Sequence, residues 1–184
     1  MPPPLPRLLT TAQLPEVELR AAALDGELYA VGDGWAEIAT VDTPWIRASS
    51  VVGLFGRQVI AAGETAAWIW MAAVSPPWRH DGIVPPDARH RDTSGRVSIR
   101  EMTIDRDEIA EVAGLRVTAP ARTALDLARA SVWTPADERR VGDLCRLYGV
   151  TSVQVARLID RRGRLPHRQR AEARLRSLLD PLGA

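Results

Sequence analysis

At 184 residues, with 46% hydrophobic and 26% charged side chains, the chain has the balance of a globular protein of one medium domain or two small ones. No apolar run approaches the roughly 20 residues of a transmembrane span, and MPPPLPRLL has no apolar core of a secretory signal, so a cytoplasmic protein with no membrane partner is expected. The single Cys145 cannot form an internal disulfide, and all 24 basic residues are Arg, which excludes any mechanism that needs a lysine.

The net charge of +1 is unevenly spread. Residues 1–115 hold 10 Arg against 16 acids, a net of −6, and residues 116–184 hold 14 Arg against 7 acids, a net of +7. Such a split suggests an end that faces a polyanion or a partner; a solvated helical face is the plainer alternative.

In chain order, TTAQLPEVELRAAALDG (10–26) reads as helical, with Thr10 or Thr11 capping a short first turn and Pro15 opening a second helix. Glu16 and Glu18 suit the positive helix start, and Gly26 ends the run. Strand-like residues 27–31 and 35–39 flank Gly32-Asp33-Gly34, a tight-turn signal. Helix, helix, hairpin is the order of a minimal winged helix-turn-helix.

Residues 46–55 and 64–74 read as helices, the second buried with Trp68 and Trp70. From His80 to Thr118 the pattern is β-like: DGIV, GRVSIREMTI, EIAEV and LRVT. Residues 119–131, 135–148, 152–162 and 167–180 read as helices, with Thr134 as a cap and Gly149 and Gly163 as stops. The expected fold is α+β. It has a winged-helix-like module at 1–45, a central α/β segment with a β-sheet at 46–131, and Arg-rich C-terminal helices at 132–184.

GLRVTAPARTALDLARA (114–130) carries the most specific pattern. Thr118 is placed to cap a helix with Pro120 in its first turn. Arg122, Asp126 and Arg129 are spaced four and three apart, so they share one helix face beside Ala121, Leu125 and Ala128. The spacing suits a partly buried ionic cluster that clamps the helix to the preceding strand; ligand binding is the other reading.

LRVTAPARTALDLAR resembles the "pvTsp-RT-lDlAR" signature of AbiEi-type antitoxins of abortive-infection (type IV) toxin–antitoxin systems. LTTAQLPEVELRAAALDGELYAVGDGWAEI is similar to that family's N-terminal winged helix, and TAAWIW to its apolar "TAAxLWG" helix, in the same order over residues 8–130. The resemblance implies a non-enzymatic regulator that binds double-stranded DNA at its own promoter. It also implies that the protein counteracts a nucleotidyltransferase toxin encoded beside it. Two departures stand out: Ala30-Val31 occupy positions where Arg is common, and residues 1–45 hold only Arg7 and Arg20 against seven acids. Phosphate neutralisation dominates DNA affinity, which an acidic module supplies poorly.

Arg20 is therefore the N-terminal candidate for nucleic-acid contact, and Arg157, Arg161, Arg162, Arg164 and Arg168 are the C-terminal ones. LCRLYGVTSVQVARLIDRRGR fits a helix-turn-helix spacing, with Val155 and Leu158 facing inward; two packed helices joined by a glycine give the same spacing. Neither His80 (RHD at 79–81) nor His90 (HRD at 90–92) belongs to a metal-ligand spacing, and both read as loop residues. Cys145 lies on the apolar stripe Val141, Leu144, Tyr148 and reads as core. No catalytic, metal or cofactor site is expected.

Overall fold

A computed structural model describes residues 8–88 and 95–179. It is α+β, as expected. The helix α1 (Glu16–Leu24) starts behind Pro15, with Glu16 and Glu18 in its first turn. Residues 10–14 form a turn rather than a first helix. The Gln13 side chain accepts from the Thr10 amide and hydroxyl, which satisfies those groups locally. Strands β1 (Leu28–Val31) and β2 (Gly34–Glu37) pair antiparallel around Gly32, whose φ of 53° suits the tight turn. Leu9 bridges to Trp35. Leu9, Leu19 and Leu28 form a small core of their own with Ala22, Ala23 and Trp35.

The helix α2 (Pro44–Val51) opens on Thr43, whose hydroxyl accepts from Ile46 N, with Pro44 in the first turn. A 3-10 turn (Val52–Leu54) follows. Next come β3 (Ile60–Ala61) and α3 (Gly63–Ile69). α3 is shorter than the expected 64–74, because Met71 turns left-handed at φ 65°. Strands β4 (His80–Val84), β5 (Val97–Glu101), β6 (Ile109–Val112) and β7 (Leu115–Thr118) complete a sheet of order β5-β4-β3-β7-β6. The β3–β7 and β4–β5 pairs are parallel, and β3–β4 and β6–β7 are antiparallel. Alternation sends Ala61 and Val84 into the main core and Ile60 and Ile83 into a second cluster with Met102, Ile104 and Ile109.

The helix α4 (Pro120–Ala128) packs on α3 and on three further helices: α5 (Pro135–Tyr148), α6 (Ser152–Asp160) and α7 (Arg168–Leu179). Thr118 is not its cap. Ala119 occupies that position without a side-chain bond, and the buried Thr118 hydroxyl pairs with that of Thr123. The indole N–H of Trp70 donates to Thr118 O at 2.8 Å, tying α3 to the end of β7. α5 and α6 each begin with a capping box, Thr134 with Asp137 and Thr151 with Gln154, and α5 ends at left-handed Gly149. Among the described residues, no helix is long and apolar enough to cross a membrane.

Candidate functional site

The signature residues of α4 sit at the centre of an ion network that joins three parts of the fold. Arg122 is 4% exposed. Its Nε donates to Asp126 at 2.7 Å, and its Nη1 donates to Glu108 and to Thr103 O. Asp126 also accepts from Arg129 at 3.0 Å, and Arg129 Nε donates to Pro166 O at 2.9 Å, ahead of α7. The structure thus brings Arg122, Asp126 and Arg129 together, and it adds a carboxylate the sequence did not single out.

Glu108 ends a 3-10 turn (Arg106–Glu108) just before β6 and is 1% exposed. Its Oε2 accepts from both Arg122 and Arg162, while Oε1 has no partner. Arg162 also reaches Asp105 at 3.3 Å, and Arg161 grips Asp107 at 2.7 and 2.8 Å. The acidic turn 105–108 is therefore held from one side by α4 and from the other by the end of α6. The Asp105-x-x-Glu108 spacing, here a capping box, was the signal available for it. Its arginine partners lie 14 and 54 residues away, beyond any local pattern.

Electrostatics follow this geometry. Burial pulls the Arg122 guanidinium down, but Asp126 and Glu108 outweigh it, and its pKa lies above the ordinary value. The hydrogen bond from Arg161 holds Asp107 below the usual carboxylate range. The cluster thus binds α4 and the end of α6 to the 105–108 turn through paired charges.

The other candidates are dispersed. Arg20 is exposed on α1 and pairs with Glu16 at 2.7 Å. Arg168 pairs with Asp160 at 3.2 Å and Glu172 at 2.8 Å. Arg157 and Arg164 are exposed and have no ion pair among the described residues. Val155 and Leu158 are buried, and α6 packs on α4 and α7. His80 is a correction: it is the first residue of β4, 4% exposed, not a surface-loop residue. Its Nδ1 lies 3.2 Å from the Thr65 hydroxyl, within hydrogen-bond distance, and that hydroxyl also accepts from Asp81 N. Phe55 and Trp68 flank the ring. Burial pushes its pKa down. His90 lies outside the described residues. Cys145 is buried and its thiol is pushed up to about 11.

Arg47 was also not anticipated. It is buried in α2, forks onto Asp42, donates to Trp68 O and Ala73 O at 2.6 and 2.7 Å, and stacks over the Trp68 ring. Its contacts cross-link α2 to α3 and the turn beyond it.

A family model described as the AbiEi antitoxin C-terminal domain matches residues 59–181, which span the whole ion network. The comparison with curated proteins gave no match. Among solved structures, the crystal structure of the RV2827C protein from Mycobacterium tuberculosis is similar. It is 20% identical, with 95% of this chain and 76% of that chain covered at a TM-score of 0.51, a likeness of fold alone.

Proposed function

The chain belongs to the AbiEi antitoxin C-terminal domain family, and from that premise we propose that it is a non-enzymatic antitoxin that represses its own promoter through its basic C-terminal helices. Its counterpart is a nucleotidyltransferase-type toxin encoded beside it. The family supports the antitoxin role; the DNA reading rests on charge placement. Residues 152–179 carry eight arginines against two acids, whereas residues 1–45 carry two against seven. Arg157 and Arg164 face solvent on and just beyond α6, with Arg161, Arg162 and Arg168 beside them.

Electrophoretic shifts against the protein's own upstream DNA at several salt concentrations test the assignment. Replacing Arg157 and Arg164 with Ala is expected to weaken binding and to flatten the log–log salt slope by about 0.9 per lost phosphate contact. Arg20→Ala is expected to change little. Binding lost with Arg20→Ala and untouched by the double variant would overturn the assignment. The toxin pairing is tested separately, by growth rescue in cells expressing the neighbouring nucleotidyltransferase.

A second reading is a module that acts on protein alone. It is favoured by the solvent-facing Val17 and Leu24 on the acidic α1. Absence of any DNA shift at low salt, with growth rescue intact, would select it.

A further inference from the structure

The cleft between the start of α4 and the inner side of α6 has a volume of about 330 Å³. Its apolar lining is formed by Pro120, Ala121, Val150 and Leu158, and its polar lining by Tyr148, Gln154, Arg157, Arg161 and Asp107. The charge left open on that polar side has one sign. Arg157 has no ion-pair partner among the described residues, so its guanidinium donors remain open. Arg161 meets Asp107 through Nη1 only, leaving Nε and Nη2 without an acceptor among the described residues. The Gln154 carbonyl oxygen accepts from Thr151 N, which turns the amide NH₂ outward as a donor. Burial raises the Tyr148 pKa, so its phenol keeps a proton to donate. The Asp107 carboxylate, which also lines the cleft, is already held by Arg161.

A cleft whose open polar groups are donors, two of them guanidinium, selects a ligand rich in acceptors and negatively charged. Its apolar floor and the half-exposed Tyr148 ring select a ligand that also carries a flat, weakly polar part. We propose that this cleft binds a nucleoside phosphate, with the phosphate at Arg157 and Arg161 and the base over Leu158 and Val150, its edge facing Gln154. The volume suits one nucleotide. The ligand is either a free mononucleotide or the 5′-phosphorylated end of a strand, since both present the same chemistry. The inference goes beyond the promoter reading, because a single nucleotide has neither groove nor operator.

Calorimetric titration of the full chain with AMP, UMP, adenosine and inorganic phosphate tests it. Saturable 1:1 binding of AMP and UMP is expected, with inorganic phosphate at least tenfold weaker and adenosine weaker still. Arg157→Ala and Gln154→Ala each weaken AMP binding, the former by about tenfold or more, while Arg139→Ala on the outer side of α5 leaves it unchanged. Thermal melts of the variants, with tighter AMP binding recovered in Arg157→Lys than in Arg157→Ala, separate lost contact from misfolding. A short 5′-phosphorylated oligonucleotide binding more tightly than AMP, and more tightly than its unphosphorylated twin, assigns the site to strand ends; the reverse assigns it to free nucleotides. No AMP heat at millimolar protein and ligand, equal affinity for AMP and inorganic phosphate, or indifference to Arg157→Ala overturns the proposal. Promoter binding that survives such a result leaves the function proposed above standing.

Discussion

Arg122 has its donors committed to Asp126, Glu108 and the Thr103 carbonyl, deep enough that water cannot replace a lost partner. Asp126 in turn is shared with Arg129. Asp126→Ala therefore leaves two guanidinium groups short of one carboxylate. Breaking such a buried pair is expected to cost about 3 kcal/mol, which lowers Tm by roughly 6–12 °C in a chain of this size. A melt within a degree of wild type would refute the clamp. His80 gives the opposite kind of titration. Its folded pKa lies below 6.5, so the unfolded chain takes up the proton more readily. Stability is thus complete above pH 6.5 and declines as pH falls from that value toward the folded pKa. Melts at pH 7.5 and 5 are expected to show a larger loss in the wild type than in His80→Gln. Equal losses would mean that the ring is solvated or already charged in the fold.

The helices depend on signals of different range. Thr134 accepts from Asp137 N while the Asp137 carboxylate accepts from Thr134 N, so both ends of the cap are satisfied within four residues. Thr134→Ala is expected to cost about 1 kcal/mol, visible as a Tm shift of a few degrees, with no change in spectroscopic helix content at low temperature. An unchanged Tm would show that α5 is held by packing alone. Such caps, like the left-handed Gly149, are readable in sequence because their chemistry is local, and α5 accordingly spans the expected 135–148. The start of α1 behind Pro15, with a short turn capped by Thr10 ahead of it, was readable in the same way, whereas the end of α3 was not: Met71 stops it in a conformation no residue type announces. The site divides along the same line. Arg122, Asp126 and Arg129 lie within two helical turns and showed themselves by spacing, whereas Glu108 and Arg47 acquire their roles only when distant segments meet. Glu108 read as the start of a strand and His80 as a loop residue because neither burial nor a partner 14 to 54 residues away leaves a mark on nearby sequence.

Across the whole molecule, the charge split of −6 and +7 is partly cancelled by folding. The acidic turn 105–108 belongs to the acidic part of the chain, yet it lies against the end of α6, where Asp105 and Asp107 meet Arg161 and Arg162. Those two arginines are therefore only partly open to phosphate, Arg161 through the Nε and Nη2 that Asp107 does not engage, whereas Arg157 and Arg164 have no ion-pair partner among the described residues. A phosphate approaching the end of α6 competes with Asp107 for Arg161 Nη1 and with Asp105 for Arg162 Nη2, and is repelled by both carboxylates. Replacing these two aspartates with Asn removes the competition and leaves the buried Glu108 with its partners. If α6 faces DNA as proposed, the double variant is expected to bind the upstream DNA more tightly. Its log–log salt slope is expected to steepen by up to about 1.8, or 0.9 for each arginine released to a phosphate. The shift is read by electrophoresis at several salt concentrations, with a thermal melt to confirm that the turn remains folded. Unchanged affinity and slope in a folded double variant would place Arg161 and Arg162 outside the interface, leaving the 105–108 contact a purely structural brace.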